Sequence, residues 1–327
     1  MTPRPIPRPA GAGLATVVLL LALLAPAAAR AEEAVKAPLA TESLLLDGAA
    51  AGARLVVVGE RGHILVSTDD GASWIQAEVP TRVLLTAVHM HDDRTGWAVG
   101  HDAVILRTGD GGETWSVVYR APEEELPLLD VWFRDERTGF AVGAYGYFLA
   151  TGDGGETWTP RAVSVDDFHL NALIPVAADG TGAQPSPSRR LFIAAEAGVV
   201  YRSDDDGTTW RELPSPYAGS WFGGLALDEN RVLLTGLRGH LFRSEDGGET
   251  WTQLETGTHA LLTGAVRLPS GTIVVTGLEG SVLTSRDEGR SVSTARLPLR
   301  EGISAALPLA DGGVLLIGEF GVRRLAD

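Results

Sequence analysis

One octapeptide recurs along this chain and limits the folds open to it. Each clear copy combines at least one aspartate, one to three glycines and a tryptophan, as in "SEDGGETW". The five tryptophans, spaced by 41, 43, 52 and 41 residues, are Trp74, Trp115, Trp158, Trp210 and Trp251. A further step of 41 reaches "SRDEGRSV", a degenerate sixth copy that ends in Val292. A period near 40 residues is typical of propeller blades or of a solenoid.

A second repeat follows the same spacing. A β-rich run with a glycine turn precedes each octapeptide, as in "VVVGERGHIL" and "LLTGLRGHLF", and a seventh run, "LLIGEFGVRR", lies near the C-terminus. Each unit of about 42 residues contains short strand-like segments separated by turn residues, without convincing helical periodicity. The sequence therefore predicts an all-β fold, a seven-bladed β-propeller of four-stranded antiparallel blades. A β-helix would need shorter rungs.

The last unit lacks residues for an outer strand, because the chain ends soon after "GVRRL". A spare segment, "EAVKAPLA", precedes the first unit. We expect residues near Ala34 to Pro38 to pair as the outer strand of blade seven. This N-terminal strand would close the ring and cover an exposed edge.

The N-terminus has the pattern of a targeting segment. Arg4 and Arg8 precede an apolar run at 14–25, and "AAARA" supplies a small-x-small pattern. This pattern predicts a secretory signal peptide over residues 1–31, with a retained anchor as the alternative. Residues 32–327 would then form a single propeller domain, exported to the periplasm or cell envelope without direct lipid insertion. The polar segment 177–190, "AADGTGAQPSPSRR", is predicted to be a surface loop insertion in blade four.

Composition excludes several kinds of chemistry. The chain has no cysteine, so disulfides, thiol catalysis and Fe–S clusters are excluded. Removing the three arginines of the signal peptide shifts the net charge from −15 to −18, which disfavours nucleic acid and anionic lipid as partners. His89 and His91 alternate on one strand, but a zinc site needs a third and a fourth ligand. We therefore expect neither a metal nor another cofactor.

The octapeptide is predicted to be structural. Its aspartate can accept hydrogen bonds from turn amides, its glycines permit unusual backbone dihedral angles, and its tryptophan can lie between neighbouring blades. A ring of metal-binding carboxylates is the alternative, but a propeller would hold the copies apart. The predicted structural residues are Asp69, Trp74, Asp110, Trp115, Asp153, Trp158, Asp205, Trp210, Asp246 and Trp251.

The string S/T-x-D-x-G-x-T/S-W resembles the Asp-box, or BNR, repeat. The longer pattern of "VGERGHILVSTDDGASW" and "TGLRGHLFRSEDGGETW" resembles the photosystem II stability and assembly factor family. This resemblance implies a seven-bladed, exported or lumenal, non-enzymatic protein that helps to assemble a membrane complex. Photosynthetic members are known for a basic patch, whereas this chain is strongly acidic. The resemblance therefore implies a role as assembly or accessory factor for another envelope complex.

A partner is expected to bind the face that holds the glycine turns and the blade-to-blade connections. Alternate loops of an antiparallel blade share a face, so these two sets of loops should lie together. The predicted partner-binding residues are Arg61, Arg82, Glu123, Glu124, Glu125, Tyr145, Phe168, His169, Tyr217, Trp221, Arg238 and His259. Trp221 has two interpretations, an exposed hot spot or a core residue at the start of an inner strand.

The competing class is a sialidase-like glycoside hydrolase, because sialidases also carry Asp boxes. Those enzymes resemble six-bladed propellers with an arginine triad and a Tyr–Glu nucleophile pair. Their R-I-P motif is absent after Ala31, although Tyr145, Tyr147, Tyr217 and Glu196 could reach the binding face. We therefore expect no catalytic residues. The preferred interpretation is a monomeric docking factor whose partner is a membrane-protein complex or another envelope protein.

Overall fold

The computed structural model describes Met1 and residues 33–176, 188–298 and 300–325. Seven antiparallel sheets lie in the compact unit Glu32–Asp327, six with four strands and one with three. The predicted all-β, seven-bladed propeller is thereby confirmed. The predicted signal peptide, apart from Met1, and residues 177–187 of the predicted insertion lie outside the described residues.

The strands follow one another from the centre of the propeller outward in every blade. Blade one has β1 (Leu45–Ala51), β2 (Arg54–Gly59), β3 (Ile64–Ser67) and β4 (Ile75–Gln76). Blade two has β5 (Leu85–Met90), β6 (Gly96–Gly100), β7 (Ile105–Thr108) and β8 (Ser116–Tyr119). Blade three has β9 (Leu128–Phe133), β10 (Gly139–Gly143), β11 (Phe148–Thr151) and β12 (Thr159–Arg161). Blade four has β13 (Leu170–Pro175), β14 (Leu191–Ala195), β15 (Val200–Ser203) and β16 (Arg211–Glu212).

The last three blades continue this order. Blade five has β17 (Trp221–Ala226), β18 (Val232–Gly236), β19 (Leu241–Ser244) and β20 (Thr252–Leu254). Blade six has β21 (Leu262–Arg267), β22 (Ile273–Gly277), β23 (Ser281–Ser285) and β24 (Ser293–Arg296). Blade seven has β25 (Ile303–Pro308), β26 (Val314–Gly318) and β27 (Gly321–Arg324). The helices of the described residues are three-residue 3₁₀ turns, and none is long and apolar enough to cross a membrane.

The hydrophobic core lies between the blades. Alternate side chains of a strand point to opposite faces of the sheet, so each inner strand packs on both neighbouring blades. In β5, for example, Ala87 packs with blade three and Val88 packs with blade one. Seven such clusters, one at each junction, join the blades into a closed ring.

The octapeptide forms a hydrogen-bonded clamp between the third and fourth strands. The Ser67 hydroxyl donates to Oδ1 of Asp69 at 2.8 Å and accepts the Gly71 amide at 2.8 Å. The Ser73 amide donates to Asp69 Oδ1 at 2.8 Å, and its hydroxyl donates to Oδ2 at 2.6 Å. The same four bonds recur around the other clamp aspartates, which are Asp110, Asp153, Asp205, Asp246 and Asp287. The degenerate sixth copy has therefore lost its tryptophan but retained its clamp.

Each octapeptide tryptophan lies between its own blade and the preceding one. Trp115 belongs to the cluster between blades one and two, and Trp158 to the cluster between blades two and three. Trp210, Trp251 and Trp74 pack in the same way at the junctions of blades three and four, four and five, and seven and one. The tryptophans therefore act as wedges that join successive blades.

The prediction that the N-terminal segment pairs with blade seven is wrong, because this segment lies along blade one. The Ala34 amide donates to the Val79 carbonyl of blade one at 2.9 Å. Gln76 also holds this segment, because its side chain accepts from the Ala37 amide and donates to the Val35 carbonyl. The outer edge of blade one thus satisfies the segment's polar groups. Among the described residues, no strand pairs with the outer edge of β27.

The ring closes instead by packing blade one on blade seven. β1 and β25 are adjacent, and Leu45 and Leu307 share one apolar cluster. The incoming chain also crosses the turn of blade seven, where a β-carbon on Gly321 would lie 1.8 Å from the Thr41 carbonyl oxygen. The Ala310 amide donates to the Asp70 carboxylate of blade one. Ring closure therefore depends on apolar contact and close backbone approach.

Candidate docking face and central channel

The glycine turns and the blade-to-blade connections lie on one face, called here the connection face. In six turns the middle residue has a left-handed φ of 53° to 57°, although it is not glycine. These residues are Arg61, Asp102, Tyr145, Ala197, Arg238 and Glu279. The turns thus present one variable side chain in each of six blades, one to six.

The structure places the predicted partner-binding residues in three classes of exposure. The exposed residues are Arg61, Arg82, Glu123, Glu124, Glu125, Tyr145, Arg238 and His259. Phe168, His169 and Tyr217 are half-buried, and Trp221 is fully buried. Most of the predicted residues are thus accessible to a partner, whereas Trp221 is not.

Trp221 is a core residue, so its interpretation as an exposed hot spot is wrong. It pairs with Gly236 across β17 and β18, and the missing side chain of that glycine leaves room for the indole ring. The indole N–H donates to the Gly198 carbonyl of blade four at 3.0 Å. The ring of Tyr217, which stacks on His240 at 4.0 Å, also contacts Trp221. Trp221 therefore stabilises the junction of blades four and five.

Polar contacts connect blades two, three and four on the connection face. The hydroxyls of Tyr119 and Tyr147 lie 2.8 Å apart, and the carboxylate of Glu124 lies near the Tyr147 hydroxyl. The rings of Tyr145 and His169 meet edge to face at 4.8 Å. The His169 amide in turn donates to the carboxylate of Glu196 at 3.1 Å. These contacts hold the turns and connections of three blades in one surface.

A central channel of about 370 Å³ is lined by the inner strands of all seven blades. Two carboxyl groups, Asp47 and Asp130, lie in its wall. Oδ2 of Asp47 accepts the Val88 amide at 2.9 Å, and Oδ2 of Asp130 accepts the Leu173 amide at 2.7 Å. Both side chains thereby link one blade to the next around the channel.

The two channel carboxyls titrate well above the ordinary range for aspartate. Burial raises the pKa of Asp47 from 3.8 to about 6, although the Val88 amide opposes the rise. Burial, helped by the negative charge of Asp47, raises the pKa of Asp130 to about 7. The sequence does not predict this pair, because the two residues are 83 positions apart and occupy non-adjacent blades.

One group among the described residues could hold a metal ion. His91, Asp92 and Glu136 place ligand atoms within 4.8 Å of one another. Asp92 already accepts the amides of Arg94 and Thr95 through Oδ1. His89 is not part of this group, because its ring stacks on Phe133 and burial lowers its pKa to about 4. The spacing of His89 and His91 does not predict Glu136, because that residue belongs to the neighbouring blade.

Among the described residues of the connection face, Tyr147 lies near a glutamate, Glu124. A tyrosine nucleophile needs activation by a nearby base or a lowered pKa. Burial, assisted by the Tyr119 hydroxyl and the Glu124 carboxylate, instead raises the pKa of Tyr147. The nearby Arg120 is paired with Asp102 at 2.8 Å. The local charge therefore disfavours both a tyrosinate and a substrate carboxylate.

These features define a class of protein, an Asp-box β-propeller with a rigid ring and a broad connection face. A family model described as photosynthesis system II assembly factor YCF48 matches residues 28–127 and 118–296. The chain belongs to this family.

One curated relative matches a short part of this chain. A chloroplastic photosystem II stability/assembly factor, HCF136 of Cyanidioschyzon merolae (strain NIES-3377 / 10D), is 38% identical over 77 residues. That match spans 22% of this chain and only 18% of the relative.

Solved structures resemble the whole propeller. A structure of YCF48 bound to D1 peptide has a TM-score of 0.70 at 17% identity, covering 91% of this chain and 96% of that chain. YCF48 from Cyanidioschyzon merolae has a TM-score of 0.66 at 17% identity, with 89% and 96% covered. A GH74 enzyme of Niastella koreensis has a TM-score of 0.61 at 18% identity, with 88% and 51% covered. At these identities the resemblance concerns the fold alone.

Proposed function

We propose that this protein is a non-enzymatic docking factor that assists the assembly of a membrane-protein complex in the cell envelope. The observation that carries the proposal is its membership of the YCF48 assembly-factor family, matched over residues 28–127 and 118–296. A solved relative with the same fold holds a D1 peptide, which favours a polypeptide ligand. The signal-peptide pattern at residues 1–31 favours action outside the cytoplasm.

The geometry of the connection face supports this role. The blades are locked by wedges and clamps, so the face presents its loops with little conformational freedom to lose on binding. Exposed charged side chains and the exposed ring of Tyr145 lie on the connection face of several blades. A face of this kind can supply a protein interface of standard size, which buries about 800 Å² on each partner.

The proposal is tested by chemical crosslinking in the native host, followed by purification of the tagged protein from detergent-solubilised membranes. The expected result is enrichment of the subunits of one membrane complex over a tagged, unrelated exported protein. Absence of any such enrichment, or recovery of the mature protein exclusively in the cytoplasm, would overturn it.

Glycoside hydrolysis is the second candidate function, because Tyr147 and Glu124 lie near each other. A panel of chromogenic sialosides and β-glucans tests it directly. We expect no turnover, since the pKa of Tyr147 is raised and Arg120 is already paired. Turnover that is abolished by Tyr147→Phe would replace the docking proposal with an enzymatic one.

A further inference from the structure

An apolar patch interrupts the polar connection face between blades three and four. Tyr145 is 60% exposed, and Val165 is fully exposed. The two segments that carry them adjoin, because the Gly146 amide donates to the Phe168 carbonyl at 2.9 Å. A β-carbon on Gly146 would lie 3.2 Å from the Asp166 carbonyl oxygen. Tyr145 and Val165 therefore lie on adjoining segments and form one patch, and the half-buried Phe168 of the same connection packs on the core between blades three and four.

The rim of this patch is strongly acidic. The turns of blades two to four and the two connections between them contain one arginine, Arg120, which is paired with Asp102. The same loops contain seven carboxylates: Asp102, Glu123, Glu124, Glu125, Asp166, Asp167 and Glu196. The rest of the face is more mixed, with arginines at Arg61, Arg82, Arg238 and Arg300. Negative charge is thus concentrated around the exposed apolar groups.

The charge of the rim and the exposure of the apolar side chains together indicate which kind of partner binds the patch. An exposed tyrosine beside an aliphatic side chain is a typical anchor of a protein interface, and a charged rim steers the partner's approach. A second copy of this acidic chain would bring like charges together, and so would an anionic lipid surface. We propose that the patch of Tyr145 and Val165 binds a cationic segment of the partner, with lysine or arginine flanking an aromatic or aliphatic side chain. This inference rests on the proposed docking function and identifies its site.

Binding of the partner at this patch is tested with a photo-crosslinking amino acid, benzoylphenylalanine, incorporated at position 145 or 165 in the native host. The matched control is position 238, which occupies the same left-handed turn in blade five and is also exposed. We expect crosslinks from 145 and 165 to a segment of net positive charge, at least fivefold more abundant than those from 238. Equal or stronger crosslinking from 238, or a neutral or acidic segment at 145, would overturn the inference.

Two triple variants test whether the acidic rim attracts the partner. The first, Glu123→Gln/Glu125→Gln/Asp167→Asn, neutralises exposed carboxylates of the rim. The second, Glu42→Gln/Glu255→Gln/Glu279→Gln, removes the same charge from exposed positions elsewhere. The probe is the crosslinked segment, synthesised as a peptide. At 20 mM salt we expect the first variant to bind it about tenfold more slowly than the second, and the two to converge at 500 mM salt.

The outcomes separate this inference from the proposed function. Enrichment of a membrane complex without crosslinks from 145 or 165 leaves the docking function standing and refutes the patch. Equal association rates of the two triple variants at low salt refute the claim that the acidic rim attracts a cationic segment. Crosslinks from 145 to another copy of this chain would make the patch a self-association surface and contradict the proposal.

Discussion

At the scale of the residue, the clamp aspartates determine how the protein responds to acid. Hydrogen bonds from Ser73 lower the pKa of Asp69 to about 2, and those from Thr157 lower the pKa of Asp153 to about 2. A carboxylate with a lowered folded-state pKa stabilises the fold above its unfolded pKa of about 3.8 and loses that contribution as pH falls through about 2. We expect the melting temperature to fall steeply between pH 4 and pH 2. Asp153→Asn should lower it at pH 7 and weaken this acid dependence, as differential scanning calorimetry would show.

The channel carboxyls should have the opposite pH dependence. The pKa of Asp47 is raised to about 6, so its contribution is complete below pH 3.8 and is lost as pH rises through about 6. Each pKa unit corresponds to about 1.4 kcal/mol, and water in the channel screens part of it, so the loss should be on the order of 1–2 kcal/mol. Denaturant titrations at pH 5 and pH 8 measure this difference. Asp47→Asn should reduce it, and an unchanged difference would contradict the assignment.

At the scale of the element, the octapeptide tryptophan determines how strongly one blade holds the next. Trp115 is 7% exposed and donates its indole N–H to the Gly112 carbonyl at 2.9 Å. Trp251 is half-buried and donates to the Pro214 carbonyl at 3.0 Å. Trp115→Ala should therefore lower the free energy of unfolding by roughly 3–5 kcal/mol, and Trp251→Ala by less.

Equilibrium unfolding in urea checks this order. Binding by each variant should fall only in proportion to its folded fraction, because the tryptophans lie between blades and away from the connection face. A variant that is fully folded but does not bind would show that the motif contributes directly to the docking surface.

At the scale of the whole molecule, one turn tests how the ring closes. Gly321 has a φ of 79°, and an added β-carbon would collide with the Thr41 carbonyl oxygen. Gly257 is the matched control, because it also has a left-handed φ, of 65°, but no atom lies within 4 Å of an added β-carbon. We expect Gly321→Ala to lower the melting temperature by several degrees and to release residues 33–42 to proteolysis. Gly257→Ala shares the backbone strain but not the collision, so it should lower the melting temperature less and leave residues 33–42 protected; equal effects would argue against closure at this turn.

The sequence alone determined those features that a repeat and its local chemistry specify. The seven units, the order of strands within a blade and the clamp at Asp69 depend on residues a few positions apart, so they could be predicted from spacing and residue type. The sixth clamp retained its bonds without a tryptophan because the aspartate, serine and glycine act locally. The acidic residues Glu123 to Glu125 and the turn residue Tyr145 could likewise be placed on the connection face from the alternation of loops.

Only the tertiary structure decided the features that depend on which distant segments meet. Trp221 is buried because Gly236, on the adjacent strand, leaves space for its ring. Asp47 and Asp130 share a channel although blade two separates their strands. The N-terminal segment lies on blade one because Gln76 satisfies its backbone polar groups. Each of these outcomes is a competition between alternative long-range contacts, and spacing along the chain carries no information about which contact has the lower free energy.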